Sequence, residues 1–435
     1  MATETMENRA GIPGRRWRIS WLLGIGILIN YFDRVNLSAS HEALIAAFGI
    51  SDVAFGYLSG AYNLTYWFCQ LPIGVILDKF GVRRVGRVGT FLWSVATFAG
   101  AAAPSLGALF GARFLLGVGE APTFPASAKA VGRWFPPRER SMATAWFDSA
   151  AKFSSVIGIP LIGYVLLKAG WRWSFAMTGA ISLLYFAYFW RVYRDPEEDP
   201  GLSEIERNYI EARDDQSAPA PDEPESSLFH LLGQRKVLGL ALGFGSYNYV
   251  FYLLLTWLPS YFAFALHIDM LHSFLYTSVP WLFATVCELA IGGWLVDFLV
   301  KRGADASRVR RTVLIGGAAC GLGILGAARA HNATQALIWI SLSIGGLSAH
   351  SAVGWSLPSF IAGHKNVGKV GGIVNFSNQV SGVCAPVITG YLVAALHSYA
   401  WVFRVAAIYL AVGIAGYIFL LGKIERPQKQ SAAAA

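Results

Sequence analysis

Arg113 is followed seven residues later by Glu120, and Asp33 stands beside Arg34, all four inside stretches apolar enough to lie in hydrocarbon. An ionised side chain at the centre of a membrane helix costs roughly 2.5–3.5 kcal/mol, so such groups usually pair or line a path for a charged solute. Arginine keeps its proton at working pH, so any proton carried by this set rides on Asp33 or Glu120. A carboxylate that takes up a proton releases its arginine, and the freed guanidinium offers a planar fork to another carboxylate. The chemistry these residues allow is therefore anion binding linked to protonation.

Arg113 and Glu120 lie two helical turns apart on nearly one face, about 10 Å along the axis, so each needs a partner from another segment. Asp33 and Arg34 are the candidates. Two acids with two bases form a neutral set, which is far cheaper to bury than any one member. The plainer alternative is a static network that locks helix packing, but a buried ion quartet is a poor stabiliser beside packed apolar side chains. Gly117 and Gly119 lie between the two charges. Glycine inside a helix costs about 1 kcal/mol relative to alanine, and close packing of this segment on the first would explain it. Lys152, in the run WFDSAAKFSS, is a further cation in an apolar segment. It could meet a second carboxylate on a substrate, or pair with Asp148 at i,i+4 spacing or with Glu288.

The elements that hold these residues must be membrane helices. The chain has 435 residues, 55% of them hydrophobic and 14% charged, with a mean hydropathy of +0.47. Soluble domains carry about 25% charged residues. A span needs about 20 mostly apolar residues, and about twelve such runs are present. They are 18–39, 53–77, 85–103, 106–128, 140–167, 172–192, 237–265, 273–300, 311–330, 334–361, 369–396 and 399–422. Their length calls for helices, whose backbone groups are satisfied within the segment.

The formal net charge of +9 is topological. Basic clusters follow the even-numbered spans: Lys79, Arg83, Arg84 and Arg87; Arg133, Arg138 and Arg140; Lys301, Arg302, Arg308, Arg310 and Arg311; Lys365 and Lys369. The odd-to-even connections are nearly free of Lys and Arg, with Lys168, Arg172 and Arg329 the main exceptions. This pattern places both termini and the central loop in the cytoplasm, facing anionic lipid, and no nucleic-acid-reading module is visible. The basic start and the long first apolar run indicate a retained span, with no convincing cleavage site. Cys69, Cys287, Cys320 and Cys384 all lie in apolar segments, with neither disulfide framework nor metal spacing. No HExxH or P-loop motif occurs, which argues against a membrane enzyme or a primary pump. No metal or cofactor is expected.

The organisation is a cytoplasmic segment 1–17, a six-helix bundle 18–193, a cytoplasmic linker 194–236, a second six-helix bundle 237–422 and a tail 423–435. The linker is acidic and proline-rich. Its stretch 203–214 reads as a short surface helix because Ile205, Tyr209 and Ala212 recur at helical spacing, and 215–227 reads as mobile. The halves echo each other: GVILDKFGVRR (74–84) follows span two and GGWLVDFLVKR (292–302) follows span eight. Such repetition is expected of parallel bundles that rock about a site between them. Pro122, Pro125, Pro160, Pro259, Pro280, Pro358 and Pro386 interrupt spans and can bend them.

With NYFDRVNLS (30–38), GVILDKFGVRR (74–84), RFLLGVGEAPTFPA (113–126), WFPPRERSMA (134–143) and TWLPSYF (256–262) in view, the chain resembles the major facilitator superfamily. More closely it resembles the anion:cation symporter family, over roughly residues 17–425. That family includes bacterial galactonate, hexuronate, glucarate, tartrate and phthalate carriers.

The resemblance implies an all-α membrane protein of twelve transmembrane helices in two six-helix bundles. It implies proton-coupled uptake of an organic anion by alternating access in a bacterial inner membrane, by a protein that works as a monomer. It assigns proton coupling to Asp33 and Glu120, and substrate binding to Arg34, Arg113, Tyr31, Tyr66, Trp355 and Asn375. Asn248, Tyr249, Tyr252 and Gln379 are further candidates. Aromatic residues also serve widely as packing and belt residues, and the chain has 15 Trp and 18 Tyr.

Two departures bear on the substrate. The family commonly has Gln near 151 and an aromatic at 152, where this chain has Ala151 and Lys152. It commonly has Ser or Thr just before the span-ten aromatic, where this chain reads Ser351, Ala352, Val353, Gly354 and Trp355. Both lean toward a dicarboxylate or a less hydroxylated acid. The rival function is an uncoupled facilitator or exchanger of aromatic or short dicarboxylates such as phthalate or tartrate.

Overall fold

The computed structural model describes residues 13–211, 226–362 and 366–424. The expectations for 1–12, for the linker between 212 and 225, for Lys365 and for 425–435 lie outside these residues. Among the described residues the regular structure is helical throughout.

The chain divides into two compact units. The first comprises Met1–Gly49 and Ala61–Ala218, the second Ile50–Gly60 and Pro219–Ala435.

In the first unit, α1 (Arg15–Ala39) is span one and α2 (His41–Phe48) follows it. Spans two and three form α3 (Asp52–Ala102), whose arms meet at Gly81. Gly81 adopts φ 74° and ψ 167°, a left-handed backbone that favours glycine, and it lies in the first GVILDKFGVRR loop. Lys129 Nζ donates to the carbonyl of Leu77 at 2.9 Å, in the last turn before that break. Span four is α4 (Leu106–Glu120) followed by α5 (Thr123–Trp134). Spans five and six are α6 (Pro137–Ala169) and α7 (Trp171–Val192). A short helix, α8 (Glu204–Glu211), lies in the first described part of the linker.

The second unit holds α9 (Leu228–Leu232) and α10 (Arg235–Ser260), the latter extended by a π-helical turn, Tyr261–Ala265, just after Pro259. Span eight runs through α11 (Met270–Cys287), a π-helical stretch (Glu288–Leu295) and α12 (Val296–Lys301). Span nine is α13 (Ala306–Gly321) with α14 (Ile324–Ala327), and span ten is α15 (Ala333–Ser356) with α16 (Pro358–Ile361). Spans eleven and twelve are α17 (Val367–Leu396) and α18 (Tyr399–Ala415), the latter ending in a π-helical turn, Gly416–Leu421. The first turns of α3 cluster with this unit, where the Tyr57 and Tyr391 hydroxyls meet at 3.0 Å.

Each expected span coincides with helix. Eight of the described helices are long and apolar enough to cross a membrane, and the bent pair His41–Phe48 and Asp52–Gln70 would add a ninth. Those that fall short have physical reasons. α1 carries the charged residues, span three is continuous with span two, and span four is divided between α4 and α5. Large apolar side chains such as Phe68, Trp173, Leu184, Ile408 and Phe419 stand exposed, as lipid-facing residues do.

The short helix expected near 203–214 is present as α8, and it docks through charge. Ile205 is exposed, whereas Glu206 is fully buried. Glu206 accepts from the backbone N–H groups of Arg15 (3.1 Å) and Arg16 (3.0 Å), and so caps the first turn of span one. Those amides have no partner within their own helix, and a carboxylate at a helix N-terminus is also favoured by the helix dipole. Arg16 pairs with Glu206 at 3.0 Å and with Glu139 at 2.8 Å, and Tyr209 donates to Glu139 at 2.6 Å.

Candidate functional site

Arg34 and Tyr31 lie one turn apart on α1, Tyr62 and Tyr66 one turn apart on the first arm of α3, and Arg113 and Glu120 two turns apart on α4. Spacings of three, four and seven place each set on one face. All six are buried, with Glu120 fully so.

Span one and span four do meet. Arg34 Nη2 lies 3.6 Å from Glu120 Oε2, a buried ion pair. The same Glu120 oxygen accepts from the Tyr62 hydroxyl at 2.5 Å. Arg34 also donates to Asn30 Oδ1 at 3.1 Å, one turn back on its own helix. Three rings surround its guanidinium: Tyr31 at 4.2 Å, Tyr62 at 4.8 Å and Tyr66 at 5.5 Å from Cζ. A desolvated guanidinium over a ring face gains about 2 kcal/mol, so the cage offsets part of the burial cost.

Arg113 and Asp33 meet differently from the expected carboxylate pair. Arg113 Nη1 reaches the main-chain carbonyl of Asp33 at 3.4 Å, and its guanidinium lies 5.1 Å from the Tyr62 ring centre. Neither carboxylate oxygen of Asp33 has a hydrogen-bond partner among the described residues, although the residue is buried. The nearby hydroxyls of Thr97 and Thr178 donate instead to the carbonyls of Trp93 and Phe175 in their own helices.

The glycines of span four face spans two and three, not span one. A Cβ on Gly117 would stand 2.1 Å from Thr65 Oγ1 and 2.5 Å from the carbonyl of Tyr62. One on Gly119 would stand 2.6 Å from the backbone nitrogen of Trp93. This close approach brings Tyr62 within reach of Glu120. Just beyond Glu120, Pro125 has no N–H to offer the Ala121 carbonyl, and Gln70 Nε2 donates to it at 3.2 Å.

Lys152 is buried on α6 and pairs with Asp148 at 2.9 Å, the i,i+4 partner weighed from the sequence. In the second unit, Trp355 is 43% exposed near the end of α15, with its ring edge-on to Phe244 at 5.2 Å. Asn375 is half-buried on α17. Asn248 has a structural bond, donating to the carbonyl of Asn378 at 2.7 Å. Asn36, from the span-one motif, ties α1 to α7 through Thr178 (3.1 Å) and Ser174 (2.8 Å). Tyr62 and Asn30 are not among the residues the sequence singles out. Each stands four residues before a residue that was singled out, Tyr66 and Arg34, which places it on the same helix face.

The buried Arg34–Glu120 pair lies in an all-helical, multi-pass membrane protein, and the family this chain matches is one of transporters, not enzymes. The chain belongs to the Major Facilitator Superfamily, whose sequence profile matches residues 23–355. An uncharacterised transporter, YybO, of Bacillus subtilis is 40% identical over 423 residues, covering 97% of each chain. The D-galactonate transporter of Escherichia coli O6:H1 is 31% identical, covering 96% of this chain and 98% of its own. The crystal structure of a bacterial homologue of the human lysosomal transporter Spinster aligns with a TM-score of 0.73. It has 16% identity and covers 94% of this chain and 98% of that one, a likeness of fold.

Proposed function

We propose that the chain is a secondary active transporter that takes up an organic anion together with protons by alternating access. The substrate class is a sugar acid or dicarboxylate. The observation that carries this reading is the Arg34–Glu120 pair, buried, capped by Tyr62 and set beside Arg113. Protonation of Glu120 removes the charge that holds Arg34. Arg34 and Arg113 then serve a substrate carboxylate, and loss of proton and substrate restores the pair. Asp33 is the second proposed proton carrier. Tyr31, Tyr66, Trp355 and Asn375 are proposed as substrate-contacting residues. The proposed setting is a bacterial inner membrane with both termini cytoplasmic, the chain acting as a monomer.

The similarity to a D-galactonate transporter supports a sugar acid. Lys152 gives a specific reason to weigh a dicarboxylate, since a substrate carboxylate can replace Asp148 as its partner. Thermal shift with D-galactonate, glucarate, tartrate and phthalate, followed by uptake into proteoliposomes, tests the proposal. The expected result is stabilisation by at least one of these acids and its accumulation under an inward proton gradient. Uptake that only equilibrates the acid, with or without the gradient, would instead establish the uncoupled facilitator.

A further inference from the structure

Tyr62 touches three of the charged groups at once. Its hydroxyl donates to Glu120 Oε2, its ring lies 4.8 Å from the Arg34 guanidinium, and the same ring lies 5.1 Å from that of Arg113. Tyr31 and Tyr66 also face Arg34, at 4.2 and 5.5 Å. We infer that Tyr62 is a positioning residue that keeps the Glu120 carboxyl in place through both of its protonation states, so that the ion pair with Arg34 can open and re-form. The inference rests on the proton-coupled reading above.

The two oxygens of Glu120 are not equivalent. Oε2 receives the Tyr62 hydroxyl and faces Arg34, whereas Oε1 is buried without a hydrogen-bond partner among the described residues. A proton arriving from water can add to Oε1 without breaking the Tyr62 bond, because Oε2 then accepts as a carbonyl oxygen. Only the Coulomb attraction to Arg34 is lost. When the proton returns to water, the carboxylate is already oriented toward Arg34. Without the hydroxyl, a neutral Glu120 is free to rotate away, and Arg34 can stay with the substrate or move without the proton. The side chain is 1% exposed and in contact on several sides, so the phenol itself is well held.

The test is a split between coupled and uncoupled transport. Wild type, Tyr62→Phe and Glu120→Gln are reconstituted, with thermal melting as a check of folding. D-Galactonate counterflow, which needs no net proton movement, is measured beside accumulation driven by a proton gradient; glucarate is used if wild type accumulates it faster. Tyr62→Phe is expected to lower the ratio of accumulation to counterflow about tenfold, as loss of one hydrogen bond to a charged group would. Glu120→Gln should lower it at least as far. A Tyr62→Phe protein that loses both activities equally, or neither, while Glu120→Gln uncouples, overturns the role of Tyr62 and leaves the coupling reading standing. Undiminished accumulation by Glu120→Gln overturns the coupling reading itself. Should Tyr62→Phe fail to fold, difluorotyrosine at position 62, a stronger donor of nearly the same shape, decides instead. A moved pH midpoint of accumulation supports the inference, and an unmoved one overturns it.

Discussion

Arg34 Nη2 and the Tyr62 hydroxyl converge on one oxygen of Glu120, at 3.6 and 2.5 Å. A single carboxylate oxygen thus joins span one, span two and span four, and its charge sets what Arg34 is free to bind.

Glu120→Gln removes that charge while keeping the shape. Gradient-driven accumulation should fall to background, while counterflow and anion binding persist. Parallel uptake assays with and without a proton gradient check this. Accumulation at the wild-type level would refute the coupling role of Glu120.

Arg34→Ala and Arg113→Ala each remove a fork for the substrate carboxylate. A hydrogen bond to a charged group contributes about 1.5–3 kcal/mol, so affinity should weaken roughly tenfold to a hundredfold. Titration calorimetry of the reconstituted protein measures it, and an unchanged Kd for either variant would remove that arginine from the site.

Lys152→Gln distinguishes a substrate contact from an internal pair with Asp148. If Lys152 serves a second carboxylate, the variant should weaken a dicarboxylate such as glucarate about tenfold more than the monocarboxylate D-galactonate. Equal effects on the two acids would assign Lys152 to helix structure alone.

Glu206→Gln tests the clasp between the linker and span one. It leaves the buried Arg16 with one fewer charged partner and weakens the cap on α1, at a cost of about 2 kcal/mol. The melting temperature in detergent should fall by several degrees, and a melt matching wild type would show that the clasp adds nothing to stability.

The spans were legible because hydrocarbon thickness imposes a length, and any run that meets it announces itself. The charged quartet was legible because ionised residues stand out against such runs. Helical spacing told which residues share a face, but not which helix that face meets, and so Gly117 and Gly119 were assigned to span one although they pack on spans two and three. The same limit hid Tyr62, one turn from a residue already chosen. Asp33 shows a finer limit. Its side-chain charge suggested a pair with Arg113, but it is the main-chain carbonyl that Arg113 reaches. The Glu206 cap joins residues 190 positions apart, beyond any local pattern, although the helix that carries it was legible from the spacing of Ile205 and Tyr209.

Transport, on the proposed mechanism, requires Glu120 to exchange a proton as Arg34 exchanges partners. The most direct test of this exchange is a pH electrode in a lightly buffered suspension of proteoliposomes or cells, with wild type and Glu120→Gln compared on addition of substrate. Adding D-galactonate or glucarate to wild type should make the medium more alkaline, and Glu120→Gln should leave it unchanged. Uptake of substrate by wild type with no proton movement, or equal alkalinisation by the two proteins, would contradict the mechanism.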